Sequence, residues 1–259
     1  MPGFARCREM NDEIITRIND GLSLIQKRDG LTFGSDAYLL AAYVRRQPNA
    51  RAADLGSDTG VIPLLMLSRD KAATVDAFEI QPEFAGLITR NAELNGFAGR
   101  LFSVNSDIRA LPAEYNCRFD IVTSNPPYMK TSGDHNESER KFIARHEVMG
   151  GIVDFCNTAS RLLRHGGLFY VVWRPDRLTE LISALCGAGL EPKRMTFVHS
   201  RVGLSPCLVL CEAKKFASAG VYVTPPLIMY TADKSGYEYT PELSHIYENG
   251  DFDEHYKRP

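Results

Sequence analysis

Four consecutive residues, Asn125-Pro126-Pro127-Tyr128, join a side-chain amide, two rigid rings and an aromatic plate. Proline has no N–H and a fixed φ, and it pushes the residue before it into an extended conformation. Asn125 is therefore expected on a stiff corner with its amide projecting. Such a corner suits a planar nitrogen whose lone pair is delocalised into a π system. The Asn125 side-chain oxygen and the Pro126 carbonyl would each accept one N–H of that NH2. Held by both hydrogens, the nitrogen turns its lone pair out of conjugation and toward an electrophile. Tyr128 would stack on the flat substrate, as in enzymes that act on extruded bases. Positioning would supply most of the rate, with no strong base. Asn-Pro also starts many ordinary turns, so a plain strand-to-loop corner is the competing reading.

The elements around the corner follow from patterning. Phe119 to Ser124 is an apolar run that reads as a buried strand leading into Asn125. Ala52 to Leu55, Thr74 to Glu79, Leu101 to Asn105 and Leu168 to Trp173 read as further strands, with Lys193 to His199 and Cys207 to Glu212 as the last two. Helices are expected from Val61, over Pro82 to Asn95 with proline in the first turn, over Gly151 to Arg164 with Gly166-Gly167 as the stop, and over Asp176 to Cys186. Strand–helix alternation argues an α/β fold, a mostly parallel sheet with helices on both faces. Upstream, Leu22 to Gln26 and Leu31 to Phe33 flank Asp29-Gly30 and read as a hairpin. Ser35 or Asp36 would cap a helix running to about Arg46. The expected organisation is an N-terminal extension at 1–50, a main domain at 51–215, and an irregular, frayed tail at 216–259.

Composition narrows the partners. The 259 residues are 44% hydrophobic and 24% charged, with a net charge of −2. An RNA-binding surface, if present, must be local. No apolar run reaches the roughly 18 residues of a membrane span. The first residues are charged throughout, so no signal peptide is expected and a cytoplasmic location is. Cys7, Cys117, Cys156, Cys186, Cys207 and Cys211 form no C-x-x-C pair. No zinc or redox motif is read, and no metal is expected.

Open α/β sheets bind ligands at the carboxyl ends of their strands. Three acids stand there. Asp54 closes one strand before Gly56-Ser57-Asp58-Thr59-Gly60, and Glu79 closes the next, at a spacing that suits a ribose diol. Asp107 follows the third and could accept from an adenine amino group. Each acid alone more often serves a turn or cap. The turn itself is not the dinucleotide G-x-G-x-x-G.

Asp54-Leu55-Gly56-x-Asp58-x-Gly60 resembles the first motif of S-adenosylmethionine-dependent methyltransferases. With Glu79, Asp107 and Asn125-Pro126-Pro127-Tyr128, the chain resembles their amino-methyltransferase branch. More finely, it is similar to bacterial methylases that act on adenine N6 in the anticodon loop of a valine tRNA. Asp29 to Ala41, Val61 to Leu65, Glu79-Ile80-Gln81, Arg90 to Asn95, Ala144 to Glu147, Pro225 to Tyr230 and Tyr239 to Glu242 carry that likeness in order. The resemblance implies a seven-stranded Rossmann-like sheet with its last strand antiparallel and S-adenosylmethionine as cofactor. It implies cofactor contacts from Phe33, Asp36, Asp54, Gly56, Ser57, Asp58, Gly60, Glu79, Ile80, Asp107, Ile108 and Asn125. Asn125 to Tyr128 would be catalytic. Asp58 departs from the motif, which has glycine there. A carboxylate at that point would repel the cofactor's α-carboxylate, so weakened cofactor binding is expected.

The substrate side is read between Met129 and Glu147. Lys130, Arg140, Lys141 and Arg145 would meet tRNA phosphates, and Arg45, Arg46, Arg161, Arg164, Lys193, Arg194, Lys214 and Lys215 could extend the track. A solvated mixed-charge loop is the plainer alternative. His146 reads as structural and Trp173 as core. A monomer or weak dimer is expected. Three rivals share parts of this pattern: a glutamine methylase of release factors, a guanine N2 methylase of ribosomal RNA, and an RNA-binding protein without turnover. The first carries an upstream helical substrate domain, whereas 53 residues precede Asp54 here. The second often has a duplicated domain, and only Asp58 favours the third.

Overall fold

The computed structural model describes residues 13–19, 21–28, 34–127, 150–231 and 238–257. Two short strands, β1 (Glu13–Asn19) and β2 (Leu22–Lys27), form an antiparallel hairpin. Its turn is set by Asn19, whose side-chain oxygen accepts from the N–H groups of Gly21 and Leu22, both at 3.0 Å. This corrects the expected pairing. The strand at Leu22 is real, but its partner lies upstream, because an asparagine side chain can build a turn as well as Asp-Gly can. Leu31 to Phe33 lie outside the described residues.

Helix α1 (Ser35–Tyr43) follows, with Gly34 at its N-cap rather than Ser35 or Asp36, and it stops short of Arg46. The alternation then runs β3 (Arg51–Leu55), α2 (Val61–Ser68), β4 (Thr74–Glu79), α3 (Pro82–Leu94), β5 (Leu101–Asn105) and β6 (Phe119–Ser124). It continues with α4 (Ile152–Leu162), β7 (Leu163–Trp173), α5 (Leu178–Gly187), β8 (Leu190–His199) and β9 (Pro206–Lys215). Short strands β10 (Tyr222–Val223) and β11 (Leu227–Ile228) pair with β8, and helix α6 (Pro241–Asn249) closes the chain. The nine-stranded sheet has the order β10-β8-β9-β7-β6-β3-β4-β5, with β11 also on β8. Only β9 runs against the rest, as the expected antiparallel last strand does.

Two further expectations change. Gly166-Gly167 does not end α4. The helix stops at Leu162, and both glycines lie inside β7, where pairing with β6 is irregular between Phe119 and Ile121. A Cβ on Gly167 would stand 3.1 Å from the Asp120 carbonyl, so close backbone approach explains that glycine. The tail is not irregular or frayed over its described length. Thr240 caps α6 by accepting from Leu243, while Leu243, Ile246, Phe252 and Tyr256 are buried. They join one apolar cluster with Leu24, Tyr43, Ala52 and Val75. A second cluster under α4 and α5 holds Phe119, Phe155, Phe169 and Trp173, so Trp173 is core. No helix among the described residues is long and apolar enough to cross a membrane.

Candidate active site

The strands bring their ends together in register. Leu55 pairs with Phe78 on one side and with Ser124 on the other, and Glu79 pairs with Asn105. Gly56 and Asn125 therefore leave neighbouring strands side by side. Glu79 ends the strand beyond Gly56, and Asp107 lies two residues past the next. Strand order reverses between β3 and β6, which makes this edge the switch point of the sheet. The edge is tied across strands as well: Ser124 donates its hydroxyl to the Leu55 carbonyl at 2.9 Å.

The glycine turn keeps an unusual backbone throughout. Gly56, Asp58 and Gly60 all have positive φ, at 70°, 49° and 84°. Asp58 thus adopts the left-handed conformation that its motif reserves for glycine, and aspartate is among the few side chains that tolerate it. At Gly60 a Cβ would come within 3.3 Å of Ile88. The turn hangs from β4, since the N–H groups of Gly56 and Ser57 both donate to the Phe78 carbonyl. Ser57 donates its hydroxyl to the Asp54 carbonyl at 3.0 Å.

Acids dominate the edge. Asp54 is 1% exposed, and its Oδ1 accepts the Thr123 hydroxyl at 2.6 Å while Oδ2 has no partner among the described residues. Burial pushes its carboxyl up to about 6, against the pull of Thr123 and Ser57. Glu79 is fully buried and accepts the N–H groups of Asp58 and Gln81, each at 2.9 Å. Burial raises its pKa, and those two donors oppose the rise. Asp58 opens toward solvent at the mouth of the turn, yet protein surrounds it. Lost hydration and then the Glu79 charge push it up to about 7.

Asn125 is half-buried at the end of β6, Pro126 is buried and Pro127 is half-buried. The Asn125 Nδ2 donates to Asp36 Oδ2 at 3.1 Å, and its Oδ1 is buried with no partner among the described residues. Asp36 comes from the first turn of α1, so the N-terminal segment reaches the corner. Asp107 is held by Arg109, whose guanidinium contacts both carboxylate oxygens at 2.6–3.1 Å. That pair keeps its carboxyl below the usual range. Ile80 and Ile108 flank these acids; Ile108 is buried, and the Ile80 carbonyl accepts from Asn105 at 3.0 Å. Phe33, Tyr128, Lys130, Arg140, Lys141, Arg145 and His146 lie outside the described residues.

The extended basic track is not on this edge. Arg161, Arg164, Lys214 and Lys215 flank the amino-terminal ends of β6 and β7, opposite the corner. Many of its cations are also paired within the protein, Arg194 and Lys215 buried and Arg46, Arg164 and Lys193 at the surface. Arg194 is 1% exposed and paired with Glu212, Arg45 meets the same carboxylate, and Arg46 pairs with Asp70. Arg164 pairs with Asp120, Lys193 donates to the Ser218 carbonyl and Lys215 to the Leu163 carbonyl. Residue type alone could not reveal which edge each would occupy.

Sequence reasoning also missed supporting residues. Asn91 and Asn95 sit one turn apart on α3 and dock on β2 like a strand. Each donates through its Nδ2 and accepts through its Oδ1, Asn91 with Ile25 and Asn95 with Ser23. Asn91 also donates to the Thr59 carbonyl at 2.9 Å, which ties the hairpin to the glycine turn. The spacing of the two asparagines was the available signal.

Comparison with known proteins agrees with this geometry. The methyltransferase small domain matches residues 28–185. A tRNA1(Val) (adenine(37)-N6)-methyltransferase of Porphyromonas gingivalis is 30% identical over 224 residues, covering 83% of this chain and 86% of its own. The Pedobacter heparinus protein of that name is 30% identical over 66% of this chain and 71% of its own. Among solved structures, a predicted O-methyltransferase from Agrobacterium tumefaciens superposes with a TM-score of 0.66 at 27% identity, covering 84% of this chain and 98% of that one. The chain belongs to the methyltransferase small domain family, whose methyl donor is S-adenosylmethionine.

Proposed function

We propose that this enzyme methylates the N6 nitrogen of an adenine in tRNA, namely the anticodon-loop adenine of a valine tRNA. The observation that carries the reading is the register of Gly56 and Asn125, which sets the amide corner beside the glycine turn. The relatives named for adenine-37 N6 methylation supply the substrate class.

The residues fit the cofactor. The edge is rich in acceptors, and two buried ones, Asp54 Oδ2 and Asn125 Oδ1, have no donor among the described residues. A buried acceptor without a partner costs about 1–3 kcal/mol, a cost that an arriving donor relieves. S-adenosylmethionine brings an ammonium, two ribose hydroxyls and an adenine amine, and when bound it supplies an electrophilic methyl on sulfur. Asp54, Gly56, Ser57, Asp58 and Gly60 would shape the methionine end, and Glu79 with Ile80 the ribose. Asp107 and Ile108 would take the cofactor adenine, with Phe33 and Asp36 at the border. Asp107 would then share its carboxylate between Arg109 and the ligand.

On the substrate side, the Asn125 side-chain oxygen and the Pro126 backbone carbonyl each accept one hydrogen of the target amine. Tyr128 stacks on the base. The amine's lone pair is thereby aimed rather than made more basic, and the proton leaves after transfer because the alkylated nitrogen is acidic. Lys130, Arg140, Lys141 and Arg145 would hold tRNA phosphates. Nucleoside mass spectrometry of tRNA from a strain lacking the gene tests the reading. N6-methyladenosine should vanish from the valine tRNA and return with the wild-type gene. Unchanged tRNA with a lost methyl on a protein glutamine would refute it.

A further inference from the structure

Among the described residues, the carboxylate of Asp36 accepts from two N–H groups. Oδ1 accepts the N–H of Ala37 at 2.9 Å inside α1, and Oδ2 accepts the Nδ2 of Asn125 at 3.1 Å. An ionised carboxylate can only accept, so the side of the Asn125 amide that faces it must be the NH2. The amide oxygen is then turned away from Asp36, and it is the oxygen that stays buried without a partner among the described residues. α1 itself is firmly seated. Leu39 and Leu40 are fully buried, and the Tyr38 hydroxyl donates to the Tyr247 carbonyl at 2.8 Å.

We propose that Asp36 is the positioning residue of the transfer reaction: its Asn125 contact fixes which way the amide faces and so presents an acceptor, not a donor, to the target amine. The proposal rests on the reading that Asn125 receives that amine. Without the carboxylate, the amide can rotate about its last torsion. Its NH2 would then face the substrate NH2, donor against donor, and the lone pair would not be aimed. In this proposal Asp36 acts on the target amine through the Nδ2 of Asn125.

The test is a double-mutant cycle on the full chain with an unmodified valine-tRNA transcript. It compares wild type, Asp36→Ala, Asn125→Ala and the double variant, with kcat and KM from steady-state kinetics and cofactor affinity from calorimetry. Asp36→Ala should lower kcat by about 10–100-fold, the scale of a misplaced reacting group. KM for tRNA should stay within about threefold of wild type, and kcat is read at saturating cofactor, because Asp36 also borders the cofactor and its loss can weaken that Kd without entering kcat. In the Asn125→Ala background the same change should cost nothing more. Asp36→Asn is isosteric and covers the case in which the alanine variant does not fold. Its amide no longer enforces one orientation, so it should fall between wild type and alanine. Wild-type kcat in Asp36→Asn and Asp36→Ala would overturn the proposal. So would an equal loss in the Asn125→Ala background. A wild-type kcat in Asn125→Ala would instead sink the reading beneath it, which keeps the two failures apart.

Discussion

Thr123 and Asp54 face one another across β6 and β3, and the threonine hydroxyl donates to the buried carboxylate at 2.6 Å. The contact favours the ionised form of an acid that burial otherwise pushes up to about 6. Thr123→Val keeps the shape and removes the donor. It should cost about 1–3 kcal/mol, the price of an unpaired buried group. The sign follows from the raised pKa. Below about pH 6 the acid is neutral in the folded protein and loses little; above it the charge is stranded. The Tm gap between wild type and variant should therefore widen from pH 5 to pH 8. A gap that narrows would contradict the assignment.

Asp58 gives a pH test of cofactor binding. Its carboxyl is raised to about 7, so it is protonated below and charged above. A charged Asp58 would repel the α-carboxylate of S-adenosylmethionine. Wild-type affinity should thus weaken as pH rises from 6 to 8. Asp58→Gly should bind more tightly than wild type at pH 8 and show a flatter profile, since glycine also suits the left-handed φ of 49°. Calorimetry at the two pH values decides it, and equal or poorer affinity in the glycine variant would reject the idea.

The buried cation under the tail predicts a large stability effect. Arg194 donates to the Tyr43 carbonyl at 2.6 Å, pairs with Glu212 at 2.9 Å and lies 3.8 Å over the Tyr43 ring. Glu212→Ala leaves that charge buried and uncompensated, which should cost about 3–5 kcal/mol. Arg194→Met with Glu212→Leu removes both charges and should recover most of the loss. Urea unfolding of the two variants separates the outcomes, and equal midpoints would refute the argument.

The carboxyl-edge site was legible because its signals are local. Two prolines stiffen Asn125, and the glycine spacing marks the turn whose three left-handed positions the structure displays. What was not legible depends on distant partners. Asp36 and Asn125 lie 89 residues apart, and nothing in either segment announces the other. Thr123 reads as one more strand residue until Asp54 is opposite it. Phe252 and Tyr256 sit among charges in the sequence, yet Phe252 packs edge-on against the Tyr43 ring and Arg194 donates to the Tyr256 carbonyl, partners far away in the chain. The basic track failed for the same reason: Arg194 and Lys215 are cations by type and core residues by position.

The cations of the extended track lie away from the site edge, so the proposed tRNA contacts are Lys130, Arg140, Lys141 and Arg145. If Lys130, Arg140, Lys141 and Arg145 each neutralise one phosphate, the slope of log K against log salt should be about −3 to −4. Removing one of them should flatten it by about one. Filter binding of tRNA across a salt series reads this directly, and a salt-independent Kd would contradict phosphate binding.

The most direct measurement is single-turnover methylation of the valine-tRNA transcript by wild type and Asn125→Ala, with products read as nucleosides. The wild type should form N6-methyladenosine. The variant should be slower by about 100-fold or more, the scale on which a removed transition-state hydrogen-bond partner registers, while its affinity for S-adenosylmethionine changes far less. Equal rates in the two proteins, or a methyl group found on any other atom of the RNA, would contradict the account.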